Sequence, residues 1–67
     1  MRKYIEIVKD KTGVVVNRID ITDKSERSIE RSESGVHTSW SRSEFHTRIK
    51  EYKFRMPKSD ESLETQN

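Results

Sequence analysis

His37 and His46 are the only histidines in the 67 residues, and there is no cysteine. Any imidazole proton shuttle or metal centre would therefore have to use these two rings. Neither stands with a serine and an acid in a nucleophile–base arrangement. No carboxylate or thiolate set is forced beside them to complete a tetrahedral metal site. With only two glycines in the chain, a Gly-rich phosphate-cradling loop is also excluded. The residue types thus point away from catalysis, and no catalytic residue, metal or cofactor is expected.

Charge offers a second kind of chemistry. Residues 1–36 carry eight Lys/Arg against seven Asp/Glu, and residues 37–58 carry six against two. The final nine carry none against three. A basic stretch over 42–58, with Arg42, His46, Arg48, Lys50, Lys53 and Arg55, could neutralise phosphates of a nucleic acid. Such a run is also what an ordinary solvated face looks like. Binding a single strand further requires exposed aromatic rings, whereas Trp40, Phe45, Tyr52 and Phe54 are expected to be used in the core.

Protein binding is the broader reading. Val14 and Val16 would form an apolar patch on the less protected face of the first hairpin. Arg27 and Arg31 would line up on a helix, and open sheet edges could accept a partner strand.

These side chains need elements to position them. KYIEIVK at 3–9 and VVVNRIDI at 14–21 are rich in Ile, Val and Tyr, and DKTG at 10–13 is a loop of hairpin length whose Gly13 suits a positive φ. In the first strand Ile5 and Ile7 share one face, with Tyr4 and Val8 on the other. In the second, Val15, Ile19 and Ile21 share a face, opposite Val14, Val16, Arg18 and Asp20.

A helix should follow, capped by Asp23 with Glu26 in the reciprocal position and ended by Gly35 in the left-handed conformation. Its wheel places Ser25, Ser28, Ile29 and Ser32 on one side, Glu26, Glu30 and Glu33 on a second, and Lys24, Arg27 and Arg31 on a third. Ile29 is the single apolar anchor, and the serines beside it would be turned to the core, away from any kinase.

The segment after Gly35 carries two signals. Phe45, Ile49, Tyr52 and Met56 recur at helical spacing, with Ser41 and Glu44 as a capping pair. Alternation favours a second hairpin instead, turning at 41–44 and pairing Trp40 with Phe45, Thr38 with Thr47 and Val36 with Ile49. A bulge near Lys50 and Glu51 would bring Tyr52, Phe54 and Met56 into phase. The expectation is an α+β domain of β-β-α-β-β order over residues 1–57, with a second helix as the alternative to the C-terminal hairpin. Residues 58–67 read as a disordered acidic tail.

DIT at 20–22, IER at 29–31 with Glu33, Gly35 with Val36, and SEFHT at 43–47 occur in an order that resembles a family of short proteins encoded in enteric phages and prophages. The resemblance covers about half the chain. It implies a phage accessory or regulatory protein and brings no activity with it.

The remaining expectations concern setting. The longest apolar run is VVV at 14–16, far short of a membrane span, and no apolar stretch follows residues 1–4 to make a secretory signal. A cytoplasmic protein is expected, with no membrane partner. Only 28% of residues are hydrophobic, so a second copy would help to complete a small core. The function read from sequence is a non-enzymatic accessory protein that binds an unidentified protein, with homodimerisation and nucleic-acid binding as further possibilities.

Overall fold

Ile5 and Ile7 alternate with Tyr4, Glu6 and Val8, and all five are buried. A strand buried on both faces belongs in the middle of a sheet. In the computed structural model, which describes residues 1–60, it does lie there. The elements are β1 (Arg2–Lys9), β2 (Val15–Asp20), α1 (Glu26–Val36) and β3 (Phe45–Tyr52). The sheet order is β2-β1-β3, and both pairings are antiparallel.

The first hairpin forms as expected. Gly13 takes φ 73°, donates to the Lys9 carbonyl at 2.8 Å, and Lys9 in turn donates to Val14. One detail differs. Val8 pairs with Val15 while Ile7 pairs with Asn17, so Val16 is the extra residue of a bulge. The bulge turns Val16 into the core with Ile7 and Val36. Val16 is 8% exposed and is not part of an apolar surface patch.

The helix begins two residues later than its acidic signal suggested. Asp23 lies in a turn closed by Lys24 N–H on the Ile21 carbonyl, and Ser25 is the N-cap, accepting from Ser28 N–H at 3.3 Å. At the other end Gly35 stays inside the helix, without positive φ, and Val36 is the last helical residue. Ile29 is half-buried, but Ser25 and Ser28 are exposed; of the three serines only Ser32 is partly covered.

The α+β class is observed, but the second hairpin is not formed as drawn, and no second helix replaces it. Residues 37–40 wind on from α1: Thr38 donates to Gly35, and Ser39 and Trp40 both donate to Val36. Side chains reinforce this, with Thr38 Oγ1 donating to the Gly35 carbonyl at 2.7 Å and His37 Nδ1 to the Trp40 carbonyl at 3.0 Å. Such local bonds compete directly with strand formation. The expected turn at 41–44 does form, through Glu44 and Phe45 N–H on the Ser41 carbonyl. β3 then pairs with β1 along its whole length, Ile49 with Ile5 and Thr47 with Ile7. β1 offers an eight-residue ladder with a buried middle, which residues 36–40 could not. Trp40 and Phe45 still meet edge-on, 5.1 Å between ring centroids, across the turn and not across a ladder.

No bulge interrupts β3. Tyr52 is out of phase with Phe45 and Ile49 because it serves the opposite face. On one face α1 and Trp40 cover Ile7, Val16, Ile19 and Phe45. On the other, the chain after β3 returns over the sheet: Met56 N–H donates to Tyr4 Oη at 3.1 Å and Asp60 N–H to the Val15 carbonyl at 2.9 Å. The docked chain thus includes Lys58 to Asp60, where a disordered tail was expected to start. The rest of that expected tail, 61–67, lies outside the described residues. Among the described residues no helix is long and apolar enough to cross a membrane.

Candidate binding surface

The face under the returning chain is organised around one carboxylate. Glu6 is 0% exposed, and a lone buried charge at the centre of a sheet would be prohibitive. Three donors resolve this. Arg18 Nε reaches Glu6 Oε2 at 2.8 Å, Arg48 Nε reaches Oε1 at 2.7 Å, and the Tyr52 hydroxyl also donates to Oε2. They come from β2 and β3, directly beside Glu6, whose cross-strand partners are Arg18 and Arg48.

Burial by itself would push the Glu6 carboxyl up. The bonds from Tyr52, Arg48 and Arg18, together with the Arg18 charge, outweigh it and hold the group below the ordinary glutamate value. Burial pushes the Tyr52 hydroxyl up, and its bond to Glu6 adds to that. Burial also works against the Arg18 charge, but its bonds to Asp60 and Glu6 raise its pKa, so it stays protonated.

Arg18 has further bonds: Nη1 donates to the Pro57 carbonyl and to Asp60 Oδ1, both at 2.9 Å, and Nη2 to Asp60 Oδ2. Its guanidinium lies 5.7 Å from the centre of the Tyr52 ring. Among the described residues no buried side-chain polar atom is left without a partner. The acceptors of Glu6 are occupied by its own protein, an arrangement that holds segments together.

Against this centre the basic residues separate into groups. Arg48 is committed to Glu6, and His46 Nδ1 lies 2.5 Å from Asp10 Oδ1. Arg42 is exposed in the 41–44 turn, and Lys50 is exposed on the same face as Arg48. Lys53 and Arg55 follow β3 and are exposed. Arg55 and Lys58 line a cleft of about 310 Å³ with Tyr4, Arg18, Asp20 and Met56. Asp20 is lowered chiefly by its bonds from Thr22, helped by the charges of Arg2 and Arg55. Of the six residues of the expected basic stretch, His46 and Arg48 thus lie against carboxylates of their own chain.

Of the expected protein-contact residues, Val14 is half-buried and Arg27 and Arg31 are exposed on α1. His37 is the C-cap of α1, and His46 lies on β3. Phe54, expected in the core, is 78% exposed.

No family model matches the chain, and no curated protein or solved structure matches it. Function has to be argued from its own surfaces.

The most distinctive of these is the outer edge of β3. Asp10 N–H donates to the Glu44 carbonyl, extending the β1–β3 ladder. Even-numbered residues therefore exchange main-chain bonds between these strands. The odd-numbered residues of β1 turn towards β2, as Ile21 N–H on the Lys3 carbonyl shows. By the same alternation Thr47, Ile49 and Glu51 direct their N–H and C=O groups away from β1. Among the described residues no strand pairs with that edge. Ile49 remains 44% exposed beside it. The opposite edge, β2, is engaged at Val15 by Asp60.

Sequence reading missed the Glu6 centre. The available signal was an acid inside YIEIV and a base inside VNRID, both at positions otherwise reading as core strand.

Proposed function

We propose that this is a small non-enzymatic accessory protein, of the phage type its sequence resembles, that works in the cytoplasm by binding another polypeptide. The reading rests on the outer edge of β3. Outward main-chain donors and acceptors at Thr47 and Ile49, next to a half-exposed Ile49, are what strand addition uses. Charged side chains along the strand, Arg48 and Lys50, restrict which partners can pair.

Thr47→Pro removes one outward N–H and leaves the inner ladder intact. A pull-down from a bacterial lysate, treated with nuclease, should recover a specific protein with the wild type and lose it with Thr47→Pro. Recovery of the same protein by both would sink the edge as the binding site.

Nucleic-acid binding is a second reading, favoured by one observation: Phe54 is exposed between Lys53 and Arg55. An aromatic ring flanked by cations suits stacking on a single-stranded base. Salt titration with a single-stranded oligonucleotide tests it, using Lys53→Glu with Arg55→Glu as the variant. No affinity at low ionic strength ends this reading. Arg48 is a poor choice of variant, because its loss disturbs Glu6.

A further inference from the structure

We propose that the strand added to β3 is the β3 of a second copy, antiparallel and centred on Thr47. This rests on the reading of β3 as a binding edge and names its occupant. A two-fold antiparallel pair that uses the outward groups must place odd-numbered residues opposite odd-numbered ones. Four such registers, centred on residues 47, 48, 49 and 50, bring the middle of the strand together.

Charge separates them. Centred on 48, Arg48 faces Arg48 of the second copy. Centred on 49, Arg48 faces Lys50 twice, and centred on 50, Lys50 faces its own copy. Like charges directly opposite one another are destabilising. Centred on 47, Glu44 faces Lys50 of the other copy on both sides of the axis. Arg48 then faces His46 and not a second arginine or a lysine.

Apolar contact agrees with this choice. In the register centred on 47, Phe45 stands opposite Ile49 of the second copy, so each half-exposed Ile49 lies against one ring that packs on the core. The main-chain bonds are those of Thr47 with its counterpart and Ile49 N–H with the Phe45 carbonyl. Phe45 N–H is not needed, since it already serves the Ser41 carbonyl. The registers centred on 48 and 49 make two more main-chain bonds, but with basic side chains opposed.

Sedimentation of the full chain over a range of concentrations tests this, with thermal melts to confirm that each variant is folded. Wild type should show a monomer–dimer equilibrium. Glu44→Lys and Lys50→Glu should each weaken the dimer about tenfold, because each converts two attractive contacts into repulsive ones. The double variant carrying both exchanges should recover wild-type affinity, which only the register centred on 47 predicts. A folded double variant that stays weak overturns the register. A wild type that is monomeric throughout overturns self-pairing. If a lysate partner is then still lost with Thr47→Pro, the edge reading survives that failure. A dimer that Thr47→Pro leaves intact overturns self-pairing through β3.

Discussion

Arg18 links Glu6 and Asp60 with one guanidinium, 2.8 Å from the first and 2.9 Å from the second. The first bond lies inside the sheet, and the second reaches the chain that returns after β3. A single side chain thus couples the order of the returning segment to the burial of a carboxylate under it.

Removing Arg18 should therefore cost more than removing a surface cation. Arg18→Met leaves Glu6 buried with one arginine partner in place of two, and about 3 kcal/mol of stability should be lost. Urea unfolding of the two proteins at neutral pH measures it. A loss near zero would mean that Arg48 and Tyr52 satisfy Glu6 unaided.

Asp60 should act locally. Its carboxylate is partly exposed, so Asp60→Asn should lower global stability by less than about 1 kcal/mol. The returning segment should nonetheless loosen, with faster hydrogen exchange at the Met56 and Asp60 amides, which are bonded to Tyr4 and Val15. Unchanged exchange at both amides would show that Asp60 does not hold the segment.

The Glu6 centre predicts a pH dependence. Its carboxyl titrates lower in the folded chain than in the unfolded one, so the unfolded state binds the proton more readily. The stabilisation is complete above the ordinary glutamate value of 4.5 and is lost as pH falls through the lower folded value. Between pH 5 and about 2 the thermal midpoint of the wild type should fall more steeply than that of Glu6→Gln. Parallel curves would remove Glu6 from the account of acid sensitivity.

The helix start is decided between two candidates two residues apart. Ser25→Ala should cost about 0.5–1 kcal/mol through loss of the bond to Ser28 N–H, while Asp23→Ala should change stability by less than that. Thermal melts of both variants check the order, and the reverse order would return the cap to Asp23.

Ile5 is fully buried between Ile19 and Ile49 in the central strand. Ile5→Ala should cost about 2–5 kcal/mol. Ile49→Ala, at a half-exposed edge position, should cost clearly less in the monomer, and denaturant melts at low protein concentration make the comparison.

What the sequence determined by itself was local. Alternating apolar residues around a glycine-ended loop specify the first hairpin, because turn and strands are contiguous and the period of two fixes their faces. The serine-lined segment with Ile29 specifies a helix, since its polar strips segregate only at helical spacing. The turn at 41–44 was legible for the same reason.

Tertiary structure decided the partners. Alternation in 45–52 marks a strand but says nothing about what it pairs with, and β1 prevailed over 36–40 by length and burial. The bulge that carries Val16 inward appears only once β1 and β2 are in register. Glu6, Arg18, Arg48 and Asp60 are scattered along the chain, and only the register of three strands and the return of the chain bring them within bonding distance. Phe54 ended outside because that return is anchored by Met56 and Asp60. A buried charge has to find its counter-ions through space, and linear order does not record that distance.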